Sequence, residues 1–120
     1  MESLTDLLPR IGAGITLIFG LIGFFRPRLL LDQLDITLES AVGMSEARAV
    51  FGGMNLGMAV AAFALGAPEI FTALGIAWGT LTLARLWSLA VDGIGFKAAI
   101  PGLLVDSTLC FLFLSPVLLG

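Results

Sequence analysis

The chain has 120 residues, of which 58% are hydrophobic and only 12% charged, with a formal net charge of −3 and a mean hydropathy of +1.07. Soluble domains carry roughly twice that charged fraction, so a water-soluble globule is excluded and the lipid bilayer is the expected partner, with no nucleic acid. Histidine and tyrosine are absent and there is one cysteine, which removes the commonest haem and transition-metal ligand and any internal disulfide; no metal and no other cofactor is expected.

Residues 7–25 make the first apolar run. Glu2 and Asp6 precede it and Arg26-Pro27-Arg28 follows, where a cleaved signal would want a basic leader and small residues, so it is expected to stay as a helix. Gly12, Thr16 and Gly20 recur four apart on it, a small-residue packing stripe. The next segment, about residues 29–40, places Leu30, Leu31, Leu34 and Leu38 at helical spacing with Asp32, Asp35 and Glu39 on another face. That pattern predicts an amphipathic helix lying at the membrane interface.

The second run, residues 45–66, carries Arg48 at its start and Asn55 seven residues on, a spacing that keeps both on one face of an α-helix. Ala49, Gly53, Gly57 and Ala61 form a second small-residue stripe, with Gly53 and Gly57 expected at a helix contact. The sequence GGMNLG has neither the lysine nor the strand context of a phosphate loop, so nucleotide binding is not expected. Gly66 and Pro68 then supply a helix stop and a helix start.

The third run, residues 69–92, holds the main anomaly, Arg85, in an otherwise uncharged stretch from Ile70 to Val91. An arginine in hydrocarbon costs several kcal/mol unless it is paired, hydrated or functional. Ser88 and Trp78 flank its stripe, Asp92 lies on the same face nearer the interface, Trp87 suits an interfacial anchor, and Gly75 and Gly79 offer close packing. After a glycine-rich turn, Asp92 to Lys97, the fourth run covers residues 99–119 and contains Asp106 and Cys110, the latter read as a small buried apolar side chain.

Each run approaches the roughly 20 residues that span the bilayer core, and no alternating pattern of a transmembrane barrel is visible. The expected fold is all-α: one domain, residues 1–120, an integral membrane four-helix bundle with an interfacial segment between helices one and two. Helices three and four form a tight antiparallel hairpin, so residues equally far from its turn lie at similar depth. Arg85 and Asp106 are such a pair, each roughly 10 Å inside its helix end. Asp92 and Arg48 are expected in the same half of the bundle, giving a polar cluster of Arg48, Asn55, Arg85, Ser88, Asp92 and Asp106. Basic residues near the helix ends, Arg26, Arg28, Arg48 and Lys97 against Arg10 alone, place both termini outside the cytoplasm.

The segment SEARAVFGGMNLG (Ser45 to Gly57), followed by RLWSLAVDG (Arg85 to Gly93) and an acid in the last helix, resembles a family of small bacterial four-helix integral membrane proteins catalogued as a domain of unknown function. The resemblance covers roughly residues 45–110 and singles out Arg48, Gly52, Gly53, Arg85, Asp92 and Gly93. Where that family usually carries glutamate in its last helix, this chain has Asp106. The resemblance implies the fold, a bacterial inner membrane and a charged cluster, and no particular activity.

Two readings of the cluster stand side by side: polar glue between helices, or a seat for a small polar or anionic ligand with the arginines as donors. The corresponding function classes are an accessory or ligand-binding membrane protein, an oligomeric transporter or channel using Arg85 and Asp106, and a lipid- or quinone-directed enzyme. The last is weakest, since no nucleophile is set beside a base and no catalytic residue can be named. A homo-oligomer or a larger membrane complex is the expected setting.

Overall fold

The computed structural model of the chain describes residues 2–119, with side chains from residue 4. Among the described residues there is no strand, and five helices run in order: α1 (Glu2–Phe25), α2 (Pro27–Gln33), α3 (Ala41–Leu65), α4 (Pro68–Val91) and α5 (Phe96–Leu119). All but α2 are long and apolar enough to cross a membrane, with spanning stretches of 22 to 25 residues, against the roughly 20 that hydrocarbon demands. Exposed Ile18, Ile76, Leu83 and Leu104 on these helices suit a lipid-facing surface, where helices satisfy their own backbone.

The interfacial segment is shorter than its leucine spacing predicts. Pro27 opens α2 at a position that needs no N–H, but the helix ends at Gln33 instead of continuing through residues 34–40. Asp35 adopts a left-handed conformation at φ 58°, and Ile36 N–H donates to the Leu31 carbonyl at 2.9 Å while Asp35 N–H donates to that of Asp32 at 3.3 Å. These two bonds are the Schellman closure, with aspartate where glycine is usual. Leu31 is buried and Leu34 exposed, and Leu38 lies beyond the helix, so the four leucines do not form one stripe.

The second span also departs from its expected form. It starts at Ala41, where Ser40 accepts the Gly43 N–H on Oγ at 3.0 Å, an ordinary N-cap. It then widens into a π-helix over Arg48–Met54 before resuming as an α-helix over Asn55–Leu65. Closure from i to i+5 takes more residues per turn than the α form. The stretch begins at Arg48 and ends just before Asn55.

The chain divides into two compact units, one of Met1–Gly12 with Ala67–Gly120 and the other of Ala13–Gly66. In the first, α4 and α5 are antiparallel about a turn in which Gly93 takes the left-handed conformation at φ 68°. Gly75 faces Leu114 and Gly79 faces Cys110, pairs equidistant from the Ile94–Gly95 peptide; a Cβ at either glycine would stand 2.5 Å from Leu114 Cγ or 3.0 Å from Cys110 Sγ. Phe71 stacks on Phe113 with centroids 6.5 Å apart, and the Arg10 guanidinium lies 5.8 Å from the Phe71 ring centre.

Five hydroxyl groups in this unit donate to carbonyls of their own helices. Thr72, Thr80 and Thr82 donate to the carbonyls of Pro68, Ile76 and Trp78, and Ser107 to that of Leu103. Pro116 lacks the N–H that would reach the Leu112 carbonyl, and the buried Ser115 hydroxyl donates to that carbonyl at 2.8 Å instead. These hydroxyls thereby find acceptors where water is scarce.

In the second unit the glycines mark a close crossing of α1 over the π stretch of α3. A Cβ on Gly23 would lie 2.5 Å from the Phe51 carbonyl carbon, one on Gly52 would collide with the Phe24 backbone, and one on Gly20 would lie 2.7 Å from Leu56 N. Gly53 and Gly57, expected at a helix contact, have nothing within 4 Å of a built Cβ. The stripe that meets α1 runs instead through Gly52 and Leu56, one position earlier.

Candidate functional site

Arg85 and Asp106 meet across the α4–α5 hairpin, with the Arg85 Nε–H donating to Asp106 Oδ2. The short turn fixes the depth of both residues, and helical rotation turns their faces together. Asp106 is almost wholly enclosed, its side chain 3% exposed, whereas that of Arg85 is 35% exposed. This is the one ion pair among the described residues. A lone carboxylate so buried would be costly, and the pair offsets that desolvation by its attraction and its hydrogen bond.

Gly102 completes the seat for the guanidinium. It lies one turn before Asp106 on the same face of α5, and a Cβ there would stand 2.7 Å from Arg85 Cζ and Nη1. The arginine thus rests its planar head on bare backbone and reaches Asp106 with its inner edge. The signal was present in the sequence, since Gly102 is four residues before the acid. Gly102→Ala is expected to shift the flexible end of Arg85 off the α5 backbone at a cost of no more than about 1 kcal/mol; a loss of stability in detergent as large as that of Arg85→Ala would refute that adjustment.

The pair is single-toothed: Nε holds the acid, and the terminal Nη groups have no side-chain partner among the described residues. A second unspent donor lies seven residues back on α4, where Trp78 is buried with its indole Nε1 unpartnered among the described residues. Ser88 contributes its backbone carbonyl, which accepts the Asp92 N–H at 2.8 Å at the end of α4. Asp92 itself is exposed and makes no ion pair with Arg85.

Arg48 and Asn55 belong to the other unit, and each donates one bond to backbone. Arg48 Nη1 donates to the Phe24 carbonyl, one of the last in α1, where the helix leaves carbonyls unpaired and its dipole favours a cation. Asn55 Nδ2 donates to the Phe51 carbonyl at 2.8 Å, the group that Gly23 approaches. Arg48 also lines an open cavity of about 340 Å³ together with Phe25, Arg26, Pro27, Arg28, Leu29 and Met44. In the sequence Arg26 and Arg28 stand out only as markers of orientation; the cavity arises because Pro27 turns the chain directly at the end of α1.

No group of three histidine, cysteine, aspartate or glutamate side chains able to hold a metal occurs among the described residues. No protein-family pattern, curated protein or solved structure matches the chain. Fold and site define an all-helical protein with four helices able to span a membrane and a buried arginine–aspartate pair between two of them.

Proposed function

We propose that the chain is a non-enzymatic accessory protein of a bacterial inner membrane, one that holds a hydrogen-bond-accepting polar or anionic group against Arg85. The observation that carries this reading is the one-sided pairing of Arg85: Asp106 fixes and neutralises the guanidinium through Nε while its outer N–H groups stay uncommitted. The unpartnered indole N–H of Trp78 on the same helix is also a donor, so the complementary ligand is an acceptor. Commitment of the Thr72, Thr80, Thr82 and Ser107 hydroxyls to their own helices favours binding over catalysis. In this reading both termini lie outside the cytoplasm, and the chain works as a homo-oligomer or within a larger membrane complex.

Arg85→Lys tests the proposal, because lysine keeps a point charge for Asp106 but loses the fork of donors. Titrating protein in zwitterionic detergent with an alkyl carboxylate, an alkyl phosphate and an alkyl trimethylammonium should change tryptophan fluorescence with the two anions only. The Lys variant should bind them about tenfold more weakly or worse. Equal affinity in both proteins, or no response to either anion, would reduce the pair to a helix clamp. A second reading, an oligomeric transporter, draws on Asp106 as an enclosed acid within a spanning helix; it requires vesicle flux that disappears with Asp106→Asn.

A further inference from the structure

The arginine-lined cavity in the Ala13–Gly66 unit lies apart from the Arg85 pair in chemistry as well as in sequence. Arg26 and Arg28 flank Pro27 at the start of α2, and Arg48 reaches in from α3. No carboxylate lines the cavity, and none of the three arginines forms an ion pair among the described residues. Arg48 is held in place by its bond from Nη1 to the Phe24 carbonyl, which leaves its remaining N–H groups for another acceptor. The other walls, Phe25, Leu29 and Met44, are apolar.

The position of this cavity along the chain matters as much as its charge. The spanning stretch Leu4–Phe25 has 22 residues, about 33 Å of helix at 1.5 Å per residue, close to the roughly 30 Å hydrocarbon thickness. Its last residue lines the cavity, so the three arginines fall at the depth of lipid headgroups. Asp32 and Glu46 lie on the same helices, but no carboxylate lines the cavity to compete for the arginines, and guanidinium groups suit phosphate oxygens, those of a lipid headgroup included. The apolar walls suit the glycerol and first methylenes of an acyl chain.

We propose that Arg26, Arg28 and Arg48 form a phosphate-binding site at the membrane surface. A phospholipid headgroup and free phosphate share the required chemistry, and the two sources are separable by experiment. The protein reconstituted in phosphatidylcholine nanodiscs would be titrated with short-chain phosphatidylglycerol and, separately, with inorganic phosphate, and binding read by native mass spectrometry and by melting temperature. Arg26→Gln/Arg28→Gln is the variant of choice, because both side chains are exposed and neither makes a structural bond, whereas Arg48 caps α1.

Binding of phosphatidylglycerol, weakened about tenfold or more in the double variant, establishes a lipid site. Binding of inorganic phosphate with the same loss establishes the site with free phosphate as its occupant. If neither probe binds, or if binding is equal in variant and wild type, the proposal is overturned. The loss caused by Arg26→Gln/Arg28→Gln should be of the same size in an Arg85→Lys background, so failure here is distinguishable from failure of the Arg85 reading.

Discussion

Arg85→Ala is expected to destabilise the protein by about 3–5 kcal/mol, because it abandons the Asp106 carboxylate in an enclosed position. Asp106→Ala should cost less, since the Arg85 side chain is one-third exposed and has the length to snorkel toward water. Removing both partners deletes the unpaired charge along with the pair, so Arg85→Ala/Asp106→Ala is expected to be more stable than Arg85→Ala alone. Denaturant titration in mixed detergent micelles, read as a double-mutant cycle, measures the coupling. Additive losses, with no recovery in the double variant, would show that each residue acts through packing and not through the pair. Asp106→Glu carries separate information: the longer acid must displace the guanidinium from Gly102, and its stability reports how tightly that seat is built.

The second large effect distinguishes two adjacent glycines. Gly52→Ala is expected to cost about 3 kcal/mol, because its methyl would be driven into the Phe24 backbone, which has no rotamer to give. Gly53→Ala meets nothing within 4 Å and should be neutral or stabilising by up to about 1 kcal/mol through helix propensity. Gly23→Ala should behave like Gly52→Ala, with its methyl 2.5 Å from the Phe51 carbonyl carbon, and Gly57→Ala like Gly53→Ala. Thermal melts of the four variants check the order; equal effects at positions 52 and 53 would place the α1 crossing elsewhere.

How far these features can be read from sequence depends on what fixes each of them. The Arg85–Asp106 pair was legible because a short glycine-rich turn equates depth on two antiparallel helices, leaving only rotation to chance. The four spans were legible because hydrocarbon thickness sets their length. The end of α2 was not: leucine spacing favoured a helix through residue 40, but Asp35 takes a left-handed conformation that a sequence pattern assigns to glycine or asparagine first. The glycine contact is displaced by one position: the stripe that meets α1 runs through Gly52 and Leu56, beside Gly53 and Gly57. A stripe of small residues marks a close approach, but which of two adjacent glycines faces the neighbour depends on the rotation of the whole helix, and α1 presses on Gly52. Arg26 and Arg28 were visible as charges, but a cavity depends on the turn at Pro27 and on Arg48 arriving from the next span.

The π stretch also bears on how the chain tolerates changes in length. A wide turn is how a helix absorbs a surplus residue without disturbing the segments on either side, so Arg48–Met54 acts as slack in the second span. Trimming one residue from it would let the α form run unbroken from Ala41 to Leu65, a gain in local regularity. It would also turn the part of the helix before the deletion by about 100° relative to the part after it. Arg48 would swing off the end of α1, Phe24 would lose its cap, and the arginine-lined cavity would open into two unrelated surfaces. Backbone irregularity in this helix is therefore the device that sets the azimuth of its one cation.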